Sequence, residues 1–295
     1  MAIRFQRDLA FTYGEPAELS PLIRRVICRN PSAFTYHGTG TYILGRGKVA
    51  IVDPGPDEPE HVAALLNAVR GETVSHILIT HTHGDHSPAS AALQAATGAP
   101  TYGYGPHPTR PDERPDQGGD YTFKPDVVLN DGDRVVGQGW TVEALHTPGH
   151  ISNHLCFALA EEKTLFSGDH VMGWSTSVIS PPDGDMADYF ASLRKLLPRE
   201  ERLYYPTHGP GVPDPVPFVR DFIAHREDRE RQIGAVLAQG PSTIPEMVKT
   251  MYREVPAHLH PAAARSVLAH LIHMVATGRA ACDGAPGPAS VYRLN

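Results

Sequence analysis

Apolar and polar positions follow one another in short runs over the first part of the chain. Two apolar runs flank Gly45-Arg46-Gly47 in TYILGRGKVAIVDPG, and this arrangement predicts a β-hairpin. Residues 74–80, VSHILIT, are almost continuously apolar, which is typical of a strand that is buried on both faces. The pattern between them predicts a helix over 57–70 that ends at Gly71.

The same order of strands and then a helix recurs further along. Ser87 is a candidate N-cap, with Pro88 at the first helical position and Gly98 at the helix end. A later helix is predicted over 185–197 with Asp185 as its N-cap. Strands are predicted around 134–136, 141–145, 155–159, 163–167 and 202–205. Sheets covered by helices are therefore expected. Residues 104–126 are rich in proline, glycine and charge, which predicts an exposed loop.

The composition changes after the proline- and glycine-rich stretch 208–217. Residues 218–237 have helical periodicity, and Thr243-Ile-Pro-Glu246 matches a capping box that opens a second helix. A third helix is predicted from Pro261 to Gly278, followed by two short strands around a Gly/Pro turn. Three helices and a β-wing are typical of a winged helix, so the predicted domains are 1–217 and 218–295.

Composition and charge restrict the compartment and the partners. A hydrophobic fraction of 41% is enough to form a core. The sequence contains no run of 18 apolar residues, so no membrane-spanning helix is expected. The N-terminal residues lack the apolar run of a signal peptide, and the three cysteines are odd in number and far apart. Free thiols in a reducing cytoplasm are therefore expected. The net charge of −7 does not favour nucleic-acid binding by the chain as a whole.

The stretch ITHTHGDHSP concentrates metal-ligating side chains. Residues two apart at a strand end share one side, so His81 and His83 can face one ion, while Asp85 and His86 swing toward a second. Imidazoles and a carboxylate in this arrangement suit Zn²⁺. Four side chains do not complete two coordination spheres. The further candidates stand at downstream strand ends and are His150, Asp169 and His208.

The motif H-x-H-x-D-H, a later glycine-preceded histidine, a Gly-Asp and a late His-Gly resemble the metallo-β-lactamase superfamily over roughly residues 20–210. The resemblance implies an α/β fold, a four-layer αββα sandwich, here followed by the small winged-helix domain. It implies a first metal site of His81, His83 and His150. It implies a second of Asp85, His86 and His208, with Asp169 bridging both.

The same resemblance implies a chemistry. Two Zn²⁺ ions, with Mn²⁺ or iron as alternatives, would share a hydroxide that attacks the substrate. Asp85 is expected to orient or deprotonate the attacking water in addition to ligating. The leaving group takes its proton from water or from His154. The superfamily also places an aspartate at Asp53 as a partner of the metal histidines.

Several flanking residues have open roles. His146 and residues 175–177 are expected either to contact the substrate or to serve packing or solvated positions alone. His170 is expected to point away from the site, because a strand would turn it to the other side. Arg265 and Arg279 are candidates for phosphate contacts, although packing is the favoured alternative. No aromatic stacking platform is evident in the sequence.

The C-terminal part of the sequence narrows the range of expected substrate classes. The winged helix, with HREDRERQI, HPAAARSVLAHL and GWSTSVISPPDGDM, resembles the β-lactamase-like protein 2 group, whose characterised eukaryotic members are single-strand endoribonucleases. The leading hypothesis is therefore hydrolysis of single-stranded RNA. The alternative is a glyoxalase-II-like or lactonase-like hydrolase of a small ester, thioester or lactone. A ligand-sensing nucleic-acid regulator, an iron oxygenase and a homodimer stay open, and the missing export signal disfavours β-lactams.

Overall fold

The computed structural model describes residues 3–108 and 118–295, and its first part contains two large sheets. The first sheet has seven strands in chain order: β1 (Ala17–Glu18), β2 (Ile23–Ile27), β3 (Gly40–Leu44), β4 (Lys48–Val52), β5 (Thr73–Leu78), β6 (Thr101–Gly103) and β7 (Val127–Val128). The second contains β8 (Arg134–Gly137), β9 (Trp140–His146), β10 (Leu155–Leu159), β11 (Thr164–Gly168), β12 (Leu203–Pro206) and β13 (Val212–Pro213). Its order runs from β13 back to β8. The predicted hairpin is confirmed, since β3 and β4 pair antiparallel.

The two sheets pack face to face around a large apolar core. Strand β10 shows how its sequence achieves this, because its residues alternate between two environments. Leu155, Phe157 and Leu159 lie in the core between the sheets. Cys156 and Ala158 lie in a second core on the outer face. A strand buried on both faces therefore reads as a continuous apolar run.

Helices cover the outer face of each sheet. Helices α1 (Pro59–Ala68) and α2 (Ala89–Thr97) cover the first sheet, and α3 (Met186–Leu196) and α4 (Pro215–Leu237) cover the second. The layers are thus helix, sheet, sheet and helix, which confirms the predicted αββα sandwich. Asp185 caps α3 as predicted, because its side chain accepts a hydrogen bond of 2.9 Å from the Asp188 N–H.

The C-terminal part consists of α5 (Ile244–Met251), α6 (His260–Ala276), a short 3₁₀ turn (Ala257–Leu259) and a sheet of β14 (Ser242–Thr243), β15 (Ala280–Cys282) and β16 (Val291–Leu294). The capping box is present, since the Glu246 carboxylate accepts a hydrogen bond of 2.7 Å from the Thr243 N–H. Helix α4 packs with Phe222 against α3 and with Ile233 against α5 and α6. The domain boundary at residue 217 stays a prediction.

One local prediction is wrong. The structure places Pro88 at the N-cap of α2, and the Ser87 hydroxyl donates to the Asp120 carboxylate at 2.6 Å instead of capping the helix. The loop predicted as exposed is so at Tyr104 and Tyr121, but His107, Asp120 and Phe123 in its described flanks are buried. Its central residues, 109–117, lie outside the described residues. The polar composition of these flanks did not indicate that the Asp120 carboxylate would be buried. It accepts hydrogen bonds from the Thr122 N–H, the Thr122 hydroxyl and the Phe123 N–H.

Three further expectations concern the chain as a whole. The three cysteines carry free thiols, as predicted. Within residues 3–108 and 118–295, no helix combines the length and the apolar character that crossing a bilayer requires. Arg279 was a candidate for a phosphate contact, but it donates to the buried carboxylate of Glu230.

Candidate metal centre

The metal-ligating candidates lie on loops that follow strands. His81, His83, Asp85 and His86 occupy the connection between β5 and α2. His150 lies between β9 and β10, Asp169 follows β11, and His208 follows β12. Strands β4, β5 and β6 run parallel, as do β11 and β12, so their carboxyl ends share one edge. The fold therefore carries residues that are far apart in sequence to one place.

His81, His83 and His150 form the first group. The His83 Nδ1 lies 2.9 Å from the His81 Nε2 and 3.0 Å from the His150 Nε2. Burial lowers the pKa of His81 well below its ordinary value and the pKa of His150 to about 4. Both imidazoles are therefore neutral and able to offer a lone pair to a cation.

Asp85, His86 and His208 form the second group. The His208 Nε2 lies 3.1 Å from one Asp85 carboxylate oxygen, and the His86 Nε2 lies 3.7 Å from the other. The ligand atoms of each group lie within 4.8 Å of one another. Asp85 is the more accessible member, since 29% of its side chain is exposed against 0% for His86.

Asp169 lies between the two groups. Its Oδ1 is 3.7 Å from the His86 Nε2 and 3.5 Å from the His208 Nε2, and its Oδ2 is 3.8 Å from the His150 Nε2. One carboxylate oxygen thus faces each group, which is the geometry of a bridging ligand. The sequence assigned this role to Asp169 through the family resemblance.

Three buried polar atoms at this centre make no hydrogen bond of acceptable geometry within the described residues, although charged partners lie 3.1–3.7 Å away. They are the Nε2 atoms of His86 and His208 and the Oδ1 of Asp169. Buried nitrogen and oxygen atoms almost always have partners, because an unpaired one costs about 1–3 kcal/mol. These three atoms converge, and all of them are good ligands for a divalent cation. The residues present therefore fit the metal ions that the fold implies.

Electrostatics also favour cations here. Burial raises the pKa of the Asp85 and Asp169 carboxyls, but the neighbouring His86 and His208 outweigh it and hold both pKa values below the ordinary one. Burial lowers the pKa of His86 and His208, and the carboxylates reverse this shift and raise both. The buried Asp169 and the partly buried Asp85 carboxylates therefore require positive charge beside them. Divalent cations supply that charge when they displace the imidazole protons.

Asp53 orients this centre, as the sequence predicted. Its buried Oδ2 accepts hydrogen bonds from the His86 Nδ1–H at 2.9 Å and from the Thr80 and Thr207 hydroxyls at 2.7 Å each. A carboxylate on Nδ1 fixes the tautomer of His86 and leaves its Nε2 lone pair directed at the metal site. Sequence reasoning missed the threonines. The signal was present, since a threonine directly precedes His81, His83 and His208.

His154 lies beside the centre but does not open onto it. Its ring is fully buried, its Nε2 accepts a hydrogen bond of 3.2 Å from the Asp169 N–H, and its Nδ1 lies 2.9 Å from the Thr147 hydroxyl. Burial lowers the pKa of this imidazole well below its ordinary value, so the ring is neutral. Both nitrogens are engaged, and the predicted role of proton donor to a leaving group conflicts with this arrangement. The contact supports a positioning role for His154 toward the Asp169 backbone.

The other flanking candidates take different places. The His146 ring stacks on Tyr104 at 4.1 Å, and its Nε2 lies 2.8 Å from the Ser152 carbonyl oxygen. Ser177 is buried and donates to the His170 carbonyl. His170 lies in the turn after β11 and is fully buried, with its ring packed against Tyr189.

An aromatic pair stands next to the second group. Tyr36 and Trp174 stack with centroids 4.7 Å apart and an interplanar angle of 12°. Trp174 lies against Gly209, directly after His208, so closely that a Cβ on Gly209 would be 2.6 Å from the indole ring. Phe34 nearby in sequence is 63% exposed. This pair was not predicted, because its members are 138 positions apart in the chain.

An αββα sandwich that gathers five histidines and two aspartates at one edge of its sheets defines a class of metal-dependent hydrolase. The sequence profile of the Metallo-beta-lactamase superfamily matches residues 36–208, and that of the Beta-lactamase associated winged helix domain matches residues 243–287. The chain belongs to the metallo-beta-lactamase superfamily and is an enzyme, a hydrolase with a C-terminal winged helix.

Relatives and solved structures agree with this assignment. The chain is 32% identical to the beta-lactamase-like protein 2 homolog of Drosophila melanogaster, over 88% of this chain and 90% of that protein. It is 33% identical to the atrochrysone carboxyl ACP thioesterase of Claviceps purpurea, over 85% of this chain and 79% of that protein. A beta-lactamase domain protein from Burkholderia ambifaria has a TM-score of 0.79 at 19% identity, covering 98% of this chain and 96% of its own. That likeness shows the fold.

Proposed function

We propose that this protein is a two-metal hydrolase that cleaves phosphodiester bonds in single-stranded RNA. The observation that carries the hydrolytic part is the convergence of two ligand groups on Asp169, with three buried ligand atoms that lack hydrogen-bond partners among the described residues. Zinc is the cation that this mixture of imidazole and carboxylate suits best, with Mn²⁺ and iron as alternatives.

The side chains divide the work. Divalent ions held here would supply an acidified water and positive charge for the transition state. Asp85 carries the accessible carboxylate and is the residue that can orient the attacking water and take its proton. Asp53 and the Val178 carbonyl hold His86 and His150 in the tautomer that leaves Nε2 free to ligate. Solvent provides the leaving-group proton, because both nitrogens of His154 are engaged.

Two observations support RNA as the substrate. The match to the fly protein covers 88% of this chain, and the winged-helix family matches residues 243–287; both features support membership of the β-lactamase-like protein 2 group. The stacked Tyr36 and Trp174 offer aromatic surface next to Gly209, which directly follows His208 of the second ligand group. Stacking of a base on an aromatic ring contributes about 1–3 kcal/mol and tolerates any sequence.

A specific observation favours a second candidate, hydrolysis of an acyl thioester. The Claviceps purpurea relative is a thioesterase by name and is as similar to this chain as the fly protein. Arg279, one of two predicted phosphate contacts, is occupied by Glu230. The same acidified water can attack a thioester carbonyl, and the aromatic pair can equally accept an apolar acyl chain.

One assay separates the two candidates. Purified protein is loaded with Zn²⁺ or Mn²⁺ and given 5′-labelled single-stranded RNA and, in parallel, S-lactoylglutathione and an acyl-pantetheine thioester. We expect RNA cleavage that is lost in His81→Ala and kept in His258→Ala, a matched control because His258 is exposed and far along the chain from the centre. Intact RNA with rapid thioester turnover would establish the second candidate instead. Cleavage that persists in His81→Ala would identify a contaminating nuclease and contradict the proposal.

A further inference from the structure

Arg226 is a buried arginine on α4, outside the metal centre. Only 3% of the residue is exposed. Its guanidinium donates to the Ser177 carbonyl oxygen and lies 5.3 Å from the centre of the Tyr189 ring. Its Nε has no hydrogen-bond partner among the described residues. A buried charge that is only partly satisfied is expensive, so this residue needs a reason beyond stability.

The carbonyl that Arg226 holds belongs to a loop that touches a metal-ligand candidate. Ser177 is followed by Val178, whose carbonyl oxygen lies 2.5 Å from the His150 Nδ1. The Ser177 hydroxyl donates to the His170 carbonyl at 2.7 Å, and the Tyr189 hydroxyl lies 3.0 Å from the Ser177 hydroxyl. Only the φ and ψ angles of Val178 separate the Ser177 carbonyl from the Val178 carbonyl, because each peptide group is planar. A fixed Ser177 carbonyl therefore restricts where the Val178 carbonyl can lie.

The Val178 carbonyl determines the tautomer and the ring orientation of His150. A carbonyl oxygen can only accept, so the His150 Nδ1 carries the proton and its Nε2 keeps the lone pair. That Nε2 lies 3.0 Å from the His83 Nδ1, inside the first ligand group. A hydrogen bond on the far nitrogen of a metal histidine fixes both ring orientation and tautomer.

Helix α4 also connects this loop to the C-terminal part of the chain. Glu230 lies one turn after Arg226 and is 5% exposed. Its carboxylate lies 2.7 Å from the His273 Nδ1 and 3.3 Å from the His270 Nδ1, both on α6, and it pairs with Arg279 before β15. Helix α4 therefore contacts the winged-helix part through Glu230 and the loop of Ser177 and Val178 through Arg226.

We propose that Arg226 is a positioning residue for the first metal site. It holds the Ser177–Val178 peptide so that His150 presents Nε2, and it thereby couples the C-terminal part, through α4, to metal binding. The inference rests on the metal centre of the proposed function and is independent of its substrate.

Metal affinity tests this proposal. Metal-free wild type and Arg226→Met are titrated with Zn²⁺ by calorimetry, and with Co²⁺, whose visible absorption reports the ligands around the ion. Because a lost outer contact of a metal histidine typically weakens binding about 10- to 100-fold, we expect a loss of that size and an altered Co²⁺ spectrum. Arg220→Met is the matched control, because Arg220 lies on the same helix and is exposed.

The outcomes are distinguishable from those of the RNA assay. Arg226→Lys keeps a buried donor for Ser177 and should recover part of the lost affinity. Arg226→Leu, which also lacks a donor, replaces the methionine variant if that variant fails to fold. A folded Arg226→Met or Arg226→Leu protein with wild-type Zn²⁺ affinity and Co²⁺ spectrum would overturn the inference alone. A wild-type protein that binds no metal would overturn both this inference and the proposed function.

Discussion

Replacement of Asp53 by asparagine tests the support of the metal centre most directly. Asp53 is 1% exposed, follows β4 and has a backbone φ of 49°, a region that asparagine tolerates better than most residues. Its carboxylate accepts four hydrogen bonds: Oδ1 from the Thr80 N–H at 2.8 Å, and Oδ2 from the hydroxyls of Thr80 and Thr207 and from the His86 Nδ1–H. Asp53→Asn preserves size and backbone, so it removes charge and acceptors alone.

The magnitude follows from which donors can turn away. The Thr80 and Thr207 hydroxyls can rotate and accept instead of donate, but the Thr80 N–H cannot. The amide oxygen therefore stays on the Thr80 N–H, and the NH₂ faces the His86 Nδ1, so the ring either leaves a donor unpaired or moves its proton to Nε2, the atom that would bind metal. A hydrogen bond to a charged group contributes about 1.5–3 kcal/mol, and an unpaired buried donor costs about 1–3 kcal/mol, so we expect a loss of about 3 kcal/mol in the free energy of unfolding. Zn²⁺ affinity should fall about 10- to 100-fold, because His86 loses the acceptor that fixes its tautomer.

The measurement uses urea denaturation of the metal-free proteins and Zn²⁺ titration of the folded ones. Asp57→Asn is the matched control, because Asp57 is an exposed aspartate four residues away. Surface substitutions usually change stability by less than about 0.5 kcal/mol. An Asp53→Asn protein that stays within that range, or that binds Zn²⁺ like the control, would refute the role given to this carboxylate.

Three further predictions follow. In Gly149→Ala, the new Cβ would lie 2.4 Å from the Tyr189 Cα, and the backbone φ of 134° disfavours any side chain. Thermal stability and Zn²⁺ affinity should therefore both fall. The control is Gly71→Ala, which should lower stability only slightly, because its φ is 83° and no atom lies within 4 Å of the new Cβ. Burial raises the pKa of Glu230, but His270, His273 and Arg279 outweigh it and hold the pKa below the ordinary 4.5. The stability that Glu230 contributes is therefore complete above pH 4.5 and is lost as the pH falls below it, so the difference in unfolding free energy between wild type and Glu230→Gln should shrink from pH 6 to pH 3; a constant difference would count against the ion cluster. Chelation of metal should lower the melting temperature, and Zn²⁺ at 100 times its Kd should restore about 2.7 kcal/mol, whereas an unchanged melting curve would argue against bound metal.

The sequence predicted the metal-ligand candidates better than it predicted the residues that surround them. His81, His83, Asp85 and His86 are close in the chain, and a strand end followed by a loop is enough to make them converge. The distant ligands, among them His208, had to be inferred from the family resemblance, because nothing in their own neighbourhood indicates which strand ends meet. The structure brings all of them together, as the ligand-atom distances show.

Hydrogen-bond partners were the limit of sequence reasoning. His154 lies four residues from His150 and looks like a second reactive imidazole, yet the start of β10 turns it inward to the Asp169 N–H. Ser87 has the residue type of an N-cap, yet the Asp120 carboxylate competes for its hydroxyl. Both outcomes depend on which group from a distant segment is nearest, and residue type alone does not contain that information.

The winged helix is joined to the metal domain by more than a linker. Ala269 of α6 belongs to the same apolar core as Phe222 of α4, and the rings of Phe190 on α3 and His273 on α6 lie 5.3 Å apart. An independent module would bury little against its neighbour, because interfaces between separable domains are small and polar. Here α4 is shared by both cores and carries Arg226 and Glu230 one turn apart, facing the metal-site loop and the wing. The winged helix and the metal domain are therefore joined by a shared helix and a shared apolar core.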